Sequence, residues 1–110
     1  MLSVTSLFLF GGVMFWAYVI QSISIGKVYY GHSNNLEDRL KRHNEGRSKA
    51  TKAWAPFRLI AAIELQTKSE AYQLELKLKS MKNPQKVFRY LEIHHPDSIK
   101  NELVQSTPTL

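Results

Sequence analysis

Tyr29-Tyr30-Gly31-His32-Ser33-Asn34-Asn35-Leu36-Glu37-Asp38-Arg39-Leu40-Lys41-Arg42-His43-Asn44 is the stretch on which the reading of this chain turns. It begins as the end of a strand and finishes as a helix. Val28, Tyr29 and Tyr30 are β-branched or aromatic, the types that fit a pleated surface. Gly31 closes the strand where a side chain would obstruct a turn or an approaching ligand. Asn34 or Asn35 caps the helix, with Glu37 or Asp38 three residues on, and both acids suit the positive end of the helix dipole. Leu36 and Leu40 form the buried stripe. Arg39 and His43 each follow one of those leucines by three residues and lie on or beside the stripe. A tyrosine, an arginine and a histidine are thereby directed to one edge of a small sheet.

Upstream, Phe15-Trp16-Ala17-Tyr18-Val19-Ile20 reads as a strand with Trp16, Tyr18 and Ile20 on one face and Phe15, Ala17 and Val19 on the other. Both faces are apolar, so the strand is central and covered on both sides. Ser22 to Gly26 is a short connection, and the strands on either side of it form an antiparallel hairpin, the second running from Lys27 to Gly31. Residues 1–13 extend an apolar run that carries no positive charge ahead of it, as a signal peptide would, and the run is short for a membrane span. The expectation is a domain over 14–92, preceded by an extension at 1–13 that lies outside it and is no anchor unless it proves real.

Downstream, Gly46 is placed to end the helix. The loop Arg47-Ser48-Lys49-Ala50-Thr51-Lys52-Ala53-Trp54 then offers spaced cations, hydroxyls, no acid and one aromatic. Such a loop either contacts nucleic acid, with Trp54 stacking on a base, or is a solvated loop whose Trp54 tucks onto the core. Pro56 opens a third strand over Phe57–Ile63. Thr67 and Glu70 form a capping box for a helix running to about Met81, with Ala71, Leu74, Leu78 and Met81 on its apolar face. At 100° per residue Glu75 falls within that face. A carboxylate turned toward a core must be protonated, bound to a metal, or paired, for example with Arg39. Asn83-Pro84 starts a third helix with Val87, Tyr90 and Leu91 inward, and His94-His95-Pro96 ends it. Adjacent histidines rarely point together, so they are not read as a metal site. Residues 93–110 read as a weakly structured tail. The element order is β-β-α-β-α-α, an α+β fold with a three-stranded antiparallel sheet flanked by helices.

The formal net charge is +6 and there is no cysteine. A disulfide framework and thiolate zinc sites are excluded, and the composition fits a reducing compartment, so the expected location is the cytoplasm. Residues 1–26 carry no charge, whereas Lys27 to Lys52 hold seven basic and three acidic side chains. That concentration beside aromatic residues points to a polyanion, or else serves solubility.

Taken together, Trp16-Ala17-Tyr18, Tyr29-Tyr30-Gly31, Asn35-Leu36-Glu37-Asp38-Arg39-Leu40 with His43-Asn44, and Glu70-Ala71 leading to Glu75 resemble the GIY-YIG nuclease domain. The likeness is to its small single-domain members related to the incision subunit of bacterial excision repair, and it covers about Phe15 to Leu91. Trp16-Ala17-Tyr18 stands in place of Gly-Ile-Tyr and Tyr29-Tyr30-Gly31 in place of Tyr-Ile-Gly; both keep the tyrosine. His32 stands where the repair subunit has lysine.

The resemblance implies a metal-dependent endonuclease that hydrolyses phosphodiester bonds in DNA, in repair or recombination, with structured or branched DNA among its substrates. Glu75 would be the sole protein ligand of Mg²⁺ or Mn²⁺, consistent with a hard cation whose shell is completed by water and phosphate. Arg39 would neutralise charge at the scissile phosphate. Tyr29 would activate the attacking water. A phenol is almost wholly protonated at neutral pH, so His43 is expected beside it as proton acceptor. Tyr18 would position phosphate or water. His32, Lys41, Arg42, Arg47, Lys49, Lys52 and Trp54 form the expected nucleic-acid surface, and Asn83 is a further candidate near the site. A nuclease domain this small has little surface with which to choose a substrate, so a protein partner or a homodimer is expected. Two alternatives remain: a nucleic-acid-binding module of the same fold that does not cut, and an interaction domain tethered to membrane if 1–13 is an anchor.

Overall fold

Period-two alternation in Phe15–Ile20 is realised as the central strand of the sheet. The computed structural model describes residues 14–104, so the extension placed at 1–13 lies outside the described residues. The elements are β1 (Phe15–Ser22), β2 (Val28–Ser33), α1 (Leu36–Asn44), β3 (Phe57–Leu65), α2 (Lys68–Ser80), α3 (Pro84–His94) and β4 (Ile99–Leu103), with single 3₁₀ turns at Lys52–Trp54 and Pro96–Ser98. The class is α+β, as expected.

The sheet has four strands, not three, in the order β2-β1-β3-β4, and every pairing is antiparallel. Ile99–Leu103, read from sequence as part of a loose tail, pairs along β3 from Arg58↔Leu103 to Ala61↔Ile99. The reason is backbone demand. Without β4, the outer edge of β3 would present a row of unpaired N–H and C=O groups. β4 is mostly exposed and has little to bury, so it is held by ladder hydrogen bonds and leaves no hydrophobic pattern to read.

β1 divides two cores. Ala17 and Val19 face one, with Ala61 and Ile63 of β3, Leu78 of α2, and Val87 and Leu91 of α3. Tyr18 and Ile20 face the other, with Leu36 and Leu40 of α1, and Phe57, Leu59 and Ala62 of β3. The sheet therefore lies between α1 on one side and α2 with α3 on the other. Leu78 and Leu91, 1% and 0% exposed, anchor the second pair, each burial contributing about 1.5–3 kcal/mol.

Caps fix where the helices start. Asn35 accepts from Asp38 N at 3.1 Å, and the Thr67–Glu70 box closes in both directions. Asn83 accepts from Gln85 N at 2.8 Å with Pro84 at the first turn. Gly46, at φ +74°, ends α1 by donating its N–H to His43 O at 3.1 Å.

Candidate active site

The hairpin register sets Tyr18 opposite Gly31. Along β2 the side chains alternate: Tyr29 packs with the α1 core, whereas Val28 and Tyr30 pack with the α2–α3 core. Gly31 and Ser33 share the face of Tyr29, and His32 shares that of Tyr30. The phenol of Tyr18 lies across Gly31 so closely that a Cβ there would sit 2.5 Å from Tyr18 Cζ. Glycine is required by the ring, since its φ is not among the positive ones.

Past Gly31 the Tyr18 oxygen meets His43 Nε2 at 2.7 Å, and His43 Nδ1 meets Thr51 Oγ1 at 2.7 Å. Tyr18, His43 and Thr51 are 0%, 1% and 0% exposed, so the chain of three is dry. Burial, then the neighbouring Tyr29, pushes the Tyr18 phenol well above the usual tyrosine range, with Arg39 pulling the other way and Glu75 adding to the rise. Burial, then the charges of Arg39 and Arg42, lowers His43 to about 4. At neutral pH the imidazole is uncharged and the phenol intact.

Glu75 approaches from the opposite face, on α2. It is 7% exposed, turned inward as its helical position requires. Its Oε1 lies 2.7 Å from His32 Nδ1 and its Oε2 2.6 Å from Lys79 Nζ, one helical turn on. The hydrogen bond to Glu75 is the main cause raising the Lys79 ammonium. The buried carboxylate is thus paired, though not with Arg39. Arg39 belongs to both halves: its charge acts on Tyr18 and His43, and it lines a shallow polar cleft with His32, Ser33, Asn34 and Lys68. The candidate site therefore wraps around the edge strand β2, with the tyrosines and His43 on one face and Glu75 with His32 on the other.

The family model of the GIY-YIG catalytic domain matches residues 14–90. The chain belongs to the GIY-YIG family. Similar proteins include a UPF0213 protein of Bacillus licheniformis, 40% identical over 76 residues that cover 68% of this chain and 77% of that one. Another, from Streptococcus pneumoniae, is 40% identical over 62 residues, 56% of this chain and 63% of its own. A third, from Cupriavidus pinatubonensis, is 26% identical over 84 residues, 76% and 93% respectively. No solved structure matches. Membership sets the protein in a nuclease superfamily whose members act on DNA and generally depend on a divalent metal.

Within that GIY-YIG frame, the expected site residues fall into distinct places. Tyr29 is half-buried, its ring centroid 5.0 Å from that of His43 and 6.4 Å from that of Tyr18. His43, expected as the proton acceptor of Tyr29, instead directs its nitrogens at Tyr18 and Thr51, because its position beside the Leu36–Leu40 stripe carries it under the sheet. His32 is drawn to Glu75. Lys41, Arg42, Lys49 and Lys52 are exposed, as is Arg47, which pairs with Glu45 at 2.9 Å. Trp54 is half-buried and leans on the α1 core, with the Lys27 ammonium 5.2 Å above its ring. Asn83 spends its side chain on capping α3. His94 and His95 lie against Tyr90, with ring centroids 4.5 and 6.0 Å away.

Three residues escaped the sequence reading: Thr51, Lys79 and Asn44. Lys79 carried a signal, its i+4 spacing from Glu75. Asn44 joins three segments, accepting from Phe57 N at 2.7 Å and donating to Val104 O at 2.8 Å. Among the described residues no group of three or more His, Cys, Asp or Glu could hold a metal ion. A lone carboxylate suits Mg²⁺ or Mn²⁺ carried mainly by water and substrate phosphate, and does not suit a metal needing a full protein cage. No helix among them is long and apolar enough to cross a membrane.

Proposed function

We propose that this protein is a metal-dependent endonuclease that hydrolyses phosphodiester bonds in DNA, acting in the cytoplasm in repair or recombination, with a partner or a second copy helping to select structured substrates. One observation carries the reading: a buried carboxylate, Glu75, held at the edge strand within electrostatic reach of Tyr18, which Tyr29 and Arg39 also flank.

Glu75 would hold Mg²⁺ or Mn²⁺, which supplies Lewis-acid stabilisation of phosphoryl charge. Arg39 neutralises the negative charge that grows on the non-bridging oxygens. Tyr29, the half-buried phenol, accepts a hydrogen bond from the attacking water and orients its lone pair toward phosphorus. The water oxygen forms a bond to phosphorus and releases one proton to solvent, the bond to the leaving nucleoside oxygen breaks, and that oxygen takes up a proton from solvent in exchange. Tyr18 and His43, both dry, back the Tyr29 ring from behind rather than touching substrate. The exposed Lys41, Arg42, Lys49 and Lys52 attract the phosphate backbone, so binding weakens as salt rises.

The test is to incubate the purified protein with branched and single-stranded DNA in Mg²⁺ or Mn²⁺. Glu75→Ala should lose at least a hundredfold in cutting while keeping its DNA affinity; equal cutting by the variant would mean a contaminant did the work. A second reading, a DNA-binding module that does not cut, is favoured by the fact that both Glu75 oxygens already have close polar partners, His32 Nδ1 at 2.7 Å and Lys79 Nζ at 2.6 Å. Binding without metal-dependent cutting by the unaltered protein selects it.

A further inference from the structure

Ile23 and Ile25 sit in the turn between β1 and β2, and nothing in the reading above uses them. They are 51% and 53% exposed, with Ser24 between them. Turns are dominated by Gly, Asn, Asp, Ser and Pro, which supply the backbone angles or satisfy the backbone locally. Ser22, Ser24 and Gly26 conform to that rule. Two β-branched apolar side chains facing water do not.

The turn that carries them is tightly held. Ser22 N–H donates to Lys27 O at 2.8 Å, and Gly26 N–H donates to Ser22 O at 2.9 Å. The buried Ser22 hydroxyl donates to Trp54 O at 2.6 Å and accepts from Ile25 N at 3.2 Å. Ile23 N–H donates to Pro56 O at 2.9 Å, and Gln21 Nε2 donates to Gly26 O at 3.0 Å. The tip is thereby fastened to itself and to the loop bearing Lys52 and Trp54. A β-branched side chain is also stiff about χ1. Two apolar prongs are presented in advance, with little conformational entropy left to lose on binding.

Charge decides what they meet. Lys27 is exposed, its ammonium 5.2 Å from the Trp54 ring, and Lys52 is exposed two residues before Trp54. Neither 20–27 nor 47–56 contains an acidic residue. An apolar tip rimmed only by cations suits DNA, which is anionic outside and apolar within its base stack. The tip also continues the strand pair that bears the site. It lies three to four residues beyond the Ile20↔Tyr29 pair, or about 10–13 Å along the strands. That is the length of about three to four base steps.

We propose that the β1–β2 tip is an apolar wedge for branched DNA. Ile23 and Ile25 enter the base stack at the branch, about three to four nucleotides from the scissile phosphate, while Lys27 and Lys52 hold the flanking phosphates. A branch is favoured over intact duplex because unstacking a paired step costs free energy that a branch point has in part already lost. The distance to the cut rests on the nuclease reading; the insertion does not, since it needs no metal.

The experiment uses the full chain without divalent metal and a DNA fork whose junction carries a fluorescent adenine analogue that brightens on unstacking. The unaltered protein should raise the emission. Ile23→Ser combined with Ile25→Ser should abolish the rise and weaken binding to the fork about tenfold, with affinity for blunt duplex nearly unchanged. No rise with the unaltered protein overturns the proposal, as does an equal rise or an equal fork affinity in the double variant. Two other losses caused by the same substitutions, with no rise on the fork, would also overturn it. Lost sedimentation with vesicles of phosphatidylcholine and phosphatidylglycerol would assign the tip to a membrane surface, and lost self-association would assign it to a second copy. With Mg²⁺ or Mn²⁺ added, cuts should fall about three to four nucleotides from the junction. A rise without any cutting sinks the nuclease reading and leaves the wedge standing; cutting without a rise does the reverse.

Discussion

Replacing Gly31 by alanine should damage the domain through Tyr18 alone. The added Cβ would sit 2.5 Å from Tyr18 Cζ, against about 3.5–4.0 Å for carbons in contact. The ring must therefore retreat by about 1 Å, and it has nowhere to go: Tyr18 is 0% exposed and its oxygen is bound to His43 at 2.7 Å. Overpacking of this kind costs about 1–3 kcal/mol, and loss of the buried hydrogen bond adds about 1 kcal/mol. The sum, about 2–4 kcal/mol, corresponds to a fall in Tm of roughly 10–20 °C for a domain of this size. Thermal and urea unfolding of Gly31→Ala measure it directly. A double-mutant cycle assigns the cause. In a Tyr18→Leu background the clash is gone and Gly31→Ala should be nearly free, whereas in Tyr18→Phe, which keeps the ring, most of the cost should persist. A Gly31→Ala protein within 0.5 kcal/mol of the parent, or one equally destabilised in all three backgrounds, would refute the argument.

Three further outcomes follow from the same packing. His43 is held neutral at about 4 in the folded chain, below the ordinary value of about 6.5 that it regains on unfolding. Between those values the unfolded chain binds the extra proton. Stability is therefore fully present above pH 6.5 and declines toward pH 4, by about 3 kcal/mol. His43→Gln should flatten that part of the pH profile in urea titrations at pH 7 and 4.5, and an unaltered slope would contradict it. Asn44→Ala orphans the N–H of Phe57 and the C=O of Val104; it should cost about 1–3 kcal/mol and speed amide exchange along β3 and β4 ahead of β1. Lys82 follows α2 at φ 56°, a conformation that disfavours side chains, so Lys82→Gly should raise stability by about 0.5–1 kcal/mol in the same unfolding assay, with a loss counting against it.

What the chain's sequence determined by itself was whatever acts over one or two turns of backbone. The Asn35 and Thr67 caps, the two faces of Phe15–Ile20 and the inward turn of Glu75 all rest on spacings of two to four residues, and the folded chain keeps each of them. Tertiary structure alone decided the partners. That Glu75 meets His32, that His43 turns from Tyr29 to Tyr18 and Thr51, and that residues 99–103 close the edge of β3 are contacts between segments distant along the chain. The physical reason is that a hydrogen-bonding group has many chemically equal partners in sequence. Only the geometry that buries it selects one, and a strand held by its ladder rather than by burial leaves no pattern in its side chains.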